Sequence, residues 1–334
     1  MPDLSASVES FMKRYPDLEV LEVMLLDLVG GWRGKWVGRD KMEEVISGKM
    51  KMPHSTLAFD SWGRDLEEWV FETGDCDAMC VPDLSTLVSV PWADRPTAQI
   101  IVSLEEMNGL PSEIDPRCVL KRQMRRLADI GFFPAVACEM EFFLLSCDRD
   151  SLGRPTHTQT DRGGGSIGAG QTYSLEVMED ISSFAHAVRD AAEIQGLPVD
   201  ALIKESAPSQ YEINLKYNAD ALVAADQAVM LQRLVRSIAR KQDLLATFMA
   251  KPFGNIPGSG MHLHCSLVDE TGTNVFGGDS PPANALLQNA IGGCLAMLKD
   301  CMLLFAPNLN SYRRFQLDSH APLTQTWGYD NRTS

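Results

Sequence analysis

Apolar and polar positions divide the chain into two stretches of different rhythm. A leucine-rich, β-branched run from Leu18 to Val29 stops at Gly30-Gly31, and W-R-G-K-W-V follows, so two strands joined by a glycine turn are predicted. A short helix over 5–14 precedes them, ended by Tyr15-Pro16 because a residue before proline is pushed out of the helical region. A helix over 40–46 stopped at Gly48, and strands over 78–92 and 99–104, complete a small mixed domain with few helices. Beyond Asp115-Pro116 the rhythm changes. That pair offers a capping acid and a proline at the first helical position, the helix runs to Ile130, and Gly131 closes it. Then follow a strand over 136–145, a polar loop over 148–172, a helix over 180–195, a hairpin over 201–217, a long helix over 220–250 ended by Pro252, a strand over 261–268, and a helix over 283–304 ended by Pro307. Strands alternating with helices suggest a barrel or a layered sheet.

Several of these strands gather chemistry on one face. V-A-C-E-M-E-F-F-L-L, residues 136–145, puts Glu139, Glu141 and Phe143 on one side and Cys138, Met140 and Phe142 on the other. Burying two like charges together is costly, and a dication compensates both; an edge strand with a solvated acid face is the plainer alternative. The hairpin holds Glu205 on one arm and Glu212 on the other, with Glu212, Asn214 and Lys216 sharing a face. An exposed hairpin explains that pattern equally well. In P-G-S-G-M-H-L-H-C-S-L, residues 257–267, His262, His264 and Ser266 share a face behind Gly258 and Gly260, whose missing side chains permit close backbone approach. A purely structural histidine pair stays open. N-S-Y-R-R-F, residues 310–315, and D-N-R-T-S with Arg332 add arginines suited to carboxylates and phosphates. Glutamates with one imidazole suit Mg²⁺ or Mn²⁺ rather than zinc or copper, and arginines beside such metals suit phosphoryl transfer.

Composition mainly excludes. The 334 residues fit about two domains, and 45% hydrophobic residues supply a sizeable core. A formal charge of -15 argues against nucleic acid or an anionic membrane as partner. No apolar run approaches the roughly 18 residues of a membrane span, and the N-terminus lacks a signal peptide's basic and apolar regions, so a cytoplasmic chain is expected. Eight cysteines, mostly in apolar runs, read as reduced thiols, and Cys76 and Cys80 have no downstream partner pair for zinc. Gly163, Gly165 and Gly168 match G-x-G-x-x-G formally, but no strand precedes and no helix start follows, so a loop is expected there.

E-M-E-F-F-L, E-S-A-P-S-Q-Y-E, G-S-G-M-H-L-H and N-S-Y-R-R-F with D-N-R-T-S resemble, in order and spacing, the motifs of the glutamine synthetase family. D-L-V-G-G-W-R-G-K and P-D-L-S-T-L-V-S-V-P-W resemble its N-terminal domain. The resemblance implies an α+β chain: a β-grasp domain over 1–108 and a glutamine synthetase-type catalytic α/β barrel over 109–334, incomplete at the C-terminus. It implies two Mg²⁺ or Mn²⁺ ions per site, Glu141, Glu205 and Glu212 holding the first and Glu139 and His262 the second. It further implies Gly258 and Arg314 on glutamate, Tyr217, His264 and Ser266 on ATP, and Arg332 on the transferring phosphoryl group. Such enzymes phosphorylate the γ-carboxylate of glutamate with ATP, and an amine then displaces phosphate. Family members form stacked rings, so a dodecamer is expected, with the N-terminal domain completing its neighbour's site.

Departures from the family pattern bear on the amine. Counting from Arg314 to Arg332 aligns the family's flap glutamate with His320, and Pro257 replaces the asparagine that usually opens the glycine loop. Asp60 and Asp77 match the two ammonium-site aspartates, yet Ser61-Trp62 replaces small residues after the first. These changes point to a polyamine or other organic amine as acceptor. A glutamate-ammonia ligase and a non-catalytic structural relative are the rival readings; a guanidino kinase lacks support in these motifs. The chain stops at Ser334, directly after Arg332, where the family continues with a metal ligand and phosphate-binding arginines. Weak or no catalysis by residues 1–334 is therefore expected.

Overall fold

The computed structural model describes residues 4–60, 62–158, 171–277, 284–317, 319, 321–329 and 331. They form two compact units, residues 1–126 with 193–196, and residues 127–192 with 197–334. The expectations for Gly163, Gly165 and Gly168, His320 and Arg332 lie outside the described residues.

In the first unit, α1 (Leu4–Arg14), β1 (Val20–Leu26), β2 (Trp32–Gly38), α2 (Met42–Ile46), β3 (Lys51–Pro53), α3 (Glu67–Thr73), β4 (Asp77–Ser89) and β5 (Thr97–Glu105) lead to α4 (Pro116–Ala128). The strands form one sheet in the order β2-β1-β5-β4-β3, with β1 parallel to β5 and the other neighbours antiparallel. The predicted glycine turn is there, and within the stretch predicted as strands over 78–92 residues 77–89 form one strand, β4, that runs through Pro82 with a register shift between Asp83 and Val88. That shift absorbs the irregularity. Leu21, Val23, Leu25, Ile100, Val102 and Leu104 fill the core, each worth about 1.5–3 kcal/mol when fully buried.

The second unit is built on β6 (Phe133–Arg149), longer at both ends than the predicted strand. It continues through β7 (Pro155–His157), α5 (Leu175–Asp180), α6 (Ser182–Ile194), β8 (Val199–Lys204), β9 (Gln210–Leu215), α7 (Ala221–Lys241), β10 (Leu244–Thr247) and β11 (Met261–Val268) to α8 (Ala285–Met297), α9 (Met302–Phe305) and α10 (Leu309–Tyr312). β6 pairs antiparallel with β7, β9, β10 and β11. Three expectations need correction. The helix predicted to reach Ala250 ends at Lys241, because Asp243 takes a left-handed conformation and L-L-A-T then pairs with β6 as β10. The polar loop contains β7, with Leu145 opposite His157. The last long helix is interrupted between Met297 and Met302.

Alternation along β6 sorts its two faces as the sequence pattern requires. Met140, Phe142 and Leu144, with Tyr211 and Ile213 of β9, are buried, and Phe142 packs on Phe184 of α6 with centroids 6.2 Å apart. The opposite face turns Glu139 and Glu141 toward β9's Gln210, Glu212 and Asn214. On that side Phe143 and Leu145 pack with Ala207, Leu245, Phe253 and Ile256, so an apolar floor anchors the segment leading into the glycine loop.

Candidate active site

Strand register places the acids. Glu139 lies opposite His262 on β11 and opposite Asn214 on β9, while Glu141 lies opposite Glu212. Glu139, Glu212 and His262 each offer a ligand atom, and these atoms lie within 4.8 Å of one another. This joins Glu212, expected with Glu141 and Glu205, to the pair expected at the second ion. Glu139 also faces His262 Nδ1 at 3.3 Å and His264 Nε2 at 3.1 Å, and its Oε1 accepts from Asn214 Nδ2 at 3.3 Å.

The acids repel one another. Burial pushes the Glu212 carboxyl upward, and the charges of Glu139 and Glu205 add to this against a hydrogen bond from Asn214. Glu141 is likewise pushed up by burial, with Glu205 adding to the effect; a Gly260 backbone hydrogen bond and the charges of Arg314 and His262 oppose it. A divalent cation held among them would offset this repulsion, and oxygen donors with one imidazole would suit a hard cation.

The glycine loop closes over Glu141. Glu141 N donates to Gly260 O at 3.1 Å, and Ser259 N to Ala250 O at 2.9 Å. A Cβ on Gly258 would run into the Ala250 carbonyl oxygen, and one on Gly260 would sit 3.0 Å from Arg314 Nη2 and 3.2 Å from Glu141 Oε1. Only glycine permits that approach. Arg314 follows α10, whose Asn310 takes Lys251 N on Oδ1 at 2.7 Å and donates Nδ2 to Lys251 O at 2.9 Å. Lys251 Nζ in turn donates to Ile256 O at 2.6 Å, so the loop, Arg314 and Lys251 are tied together.

Of the other sequence-predicted residues, Glu205 sits in the turn after β8, where Ser206 N donates to its Oε2 at 3.2 Å. Tyr217 is 76% exposed beyond β9, and Ser266 Oγ donates to Asn274 Oδ1 at 2.7 Å. Asp60 and Asp77 belong to the first unit. Asp77 opens β4 and is exposed. Asp60 Oδ1 accepts from Trp62 N at 2.8 Å and Arg64 N at 2.9 Å, and its Oδ2 pairs with Arg64 at 2.7 Å, which holds its carboxyl below the usual range.

Two buried groups serve the site without carrying a predicted role. Lys204 is fully buried; its Nζ donates to the carbonyls of Glu205 and of Ala207, the latter at 2.6 Å, and burial pulls its pKa down to about 8. Gln210 Nε2 donates to Glu141 Oε2 at 2.9 Å. Gln210 was findable: it stands two positions before Glu212 and so shares its strand face.

Known proteins resemble this chain over most of its length. The family model for the glutamine synthetase catalytic domain matches residues 113–334. The chain is 35% identical over 331 residues to γ-glutamylputrescine synthetase PuuA of Escherichia coli K12, covering 98% of this chain and 69% of that one. It is 32% identical over 336 residues to a glutamate–isopropylamine ligase of a Pseudomonas species, covering 98% and 71%. The solved GmaS/ADP complex superposes with a TM-score of 0.81 at 26% identity, covering all of this chain and 73% of that one. By the family model over residues 113–334 and relatives more than 30% identical over nearly its whole length, the chain belongs to the glutamine synthetase family.

Proposed function

We propose that the chain is an ATP-dependent ligase that joins glutamate to an organic amine through γ-glutamyl phosphate. The observation that carries this is the Glu139–Glu212–His262 donor group, drawn from β6, β9 and β11, beside Glu141 of β6, which the glycine loop and Arg314 approach. In the first step a γ-carboxylate oxygen of glutamate bonds to the terminal phosphorus of ATP and the bond to ADP breaks. In the second the amine nitrogen bonds to the γ-carbon, phosphate leaves, and the nitrogen gives up a proton. Arg314 and the Gly258 backbone hold the glutamate, whose carboxylates match a guanidinium. His264, Ser266 and Tyr217 are assigned to the nucleotide, and Arg332 to the moving phosphoryl group.

Glu141, Glu205 and Glu212 would hold one divalent ion and Glu139 and His262 a second. Bound there, such ions neutralise phosphate charge and lower the cost of phosphoryl transfer. Asp60, Asp77 and His320 are assigned to the amine, residues 1–108 to a β-grasp domain, residues 109–334 to the catalytic barrel, and the assembly to stacked rings. The relatives' putrescine and isopropylamine substrates support an organic acceptor over ammonia. Among the described residues, no helix is long and apolar enough to cross a membrane.

An amine panel read by phosphate release tests this. Release, slow in residues 1–334, that needs ATP, glutamate, Mg²⁺ and a primary alkylamine or polyamine is expected. Ammonia serving as well as every organic amine would overturn the acceptor, and failure to bind glutamate or ATP with Mg²⁺ in a calorimetric titration would overturn the ligase.

A further inference from the structure

We propose that Gln210 is a positioning residue that locks the metal-site carboxylate of Glu141 to the glutamate-binding loop at Gly258. This rests on the reading in which Glu141 holds a divalent ion and Gly258 with Arg314 holds glutamate. Gln210 is 1% exposed, and its amide spends both N–H groups at the site: Nε2 donates to Glu141 Oε2 at 2.9 Å and to Gly258 O at 3.0 Å. Its Oε1 accepts from Ala207 N at 3.1 Å, in the turn that carries Glu205. The amide orientation is fixed by its partners, because reversing it would set Oε1 against a carboxylate and a carbonyl and leave Ala207 N facing an NH₂ group. One side chain thus ties together the β6 acid, the hairpin turn and the glycine loop.

The choice of an amide has a chemical reason. A lysine or arginine would orient Glu141 equally well but would neutralise it, removing the charge a cation needs. Gln210 orients the carboxylate and leaves its full negative charge in place. A residue of similar shape without donors should therefore fail at this position, and an isosteric one that adds charge should fail more severely. Through Gly258 O the same amide fixes the loop backbone beside Arg314, so damage to the acid's orientation and to glutamate binding should occur together.

The test uses Gln210→Met and the isosteric Gln210→Glu, with Mn²⁺ binding followed by electron paramagnetic resonance and steady-state kinetics on the whole chain. Gln210→Met is expected to weaken Mn²⁺ binding by about 10-fold or more and to raise KM for glutamate by a similar factor, as for a lost hydrogen bond to a charged group. KM for ATP should stay within about 2-fold, since the nucleotide side is untouched. Gln210→Glu should raise KM for glutamate further; a role in packing alone would rank this isostere nearest the parent. In a Glu141→Gln background, Gln210→Met should add little to the loss of Mn²⁺ affinity, because the two act through one carboxylate. Parental Mn²⁺ affinity and glutamate KM in both single variants would overturn the proposal. Absence of Mn²⁺ binding in the parent would instead overturn the ligase reading on which it stands.

Discussion

The two units treat their carboxylates in opposite ways. In the first, the buried acids Asp27 and Asp115 are surrounded by donors. Asp115, 1% exposed, accepts from Leu104 N, Arg117 N and Cys118 N, and Asp27 accepts from Val29 N, Gly31 N and Arg33. In the second, Glu139, Glu141, Glu205 and Glu212 are brought close enough that their charges act on one another. Asp27 and Asp115 meet donors; the four glutamates of the second unit also meet one another's charge. The distinction lies in the surroundings, since the side-chain chemistry is the same.

The largest break in this comparison should come from Glu212→Gln. It is expected to cut ligase turnover by about 100-fold or more, yet to leave the ligand-free protein as stable as the parent or more so, because one repulsive charge has gone. Phosphate release and thermal unfolding read the two effects separately. Asp115→Ala should do the reverse. It strands Arg117 N and Cys118 N at the start of α4 and Leu104 N of β5, and should lower stability by about 2–4 kcal/mol in urea titrations, with Mn²⁺ binding by the folded protein unchanged.

Acid pH sharpens the contrast further. Burial raises the Asp83 carboxyl, but hydrogen bonds from Ser85 and Arg117 and the Arg117 charge outweigh it and hold the group below its ordinary 3.8. Its contribution is therefore complete above that value and lost as pH falls through the lower folded value. Glu212, raised above its ordinary 4.5, has the opposite sign: the ligand-free protein gains stability as pH falls through the raised value, and the gain levels off below 4.5. Asp83→Asn should thus lie about 1 kcal/mol below the parent at neutral pH and converge with it in strong acid, whereas Glu212→Gln should lose any advantage there. Urea unfolding from neutral to acid pH checks both signs.

The smallest effect concerns Asp60. D-S-W-G-R at 60–64 and D-S-L-G-R at 150–154 form the same turn: the aspartate Oδ1 takes the second and fourth following N–H groups, Oδ2 takes the arginine, and the glycine has φ near +79° and +75°. Asp60→Asn and Asp150→Asn should therefore shift the melting temperature slightly and equally. Only Asp60→Asn should raise KM for the amine. Equal amine kinetics in the two variants would confine Asp60 to its turn.

Much of the site was legible because a strand sorts residues by parity. Period-two reading placed Glu139 with Glu141, and His262 with His264, and the Asp115-Pro116 signal located the start of α4. What escaped lay outside that rule. β10 was absorbed into a helix because its apolar spacing continues that of α7, and the stop falls on Asp243 rather than on a glycine. Gln210 escaped because an uncharged amide does not announce itself among acids. Asp60 shows the converse: position matched it to an amine site, while its immediate neighbours, Gly63 and Arg64, also spell a turn.

The length of β6 has a consequence for how the protein reaches its native state. β6 finds its partners in β7, β9, β10 and β11, of which the last two lie far along the chain, and the Glu139–His262 contact closes one of the longest loops in the unit. Long-range pairings form late, after local hairpins such as β8–β9 have closed. The acids would then converge only near the end of folding, so their mutual repulsion burdens the final docking of β11 rather than the early collapse, and an ion captured at that step would hasten the last stage of assembly.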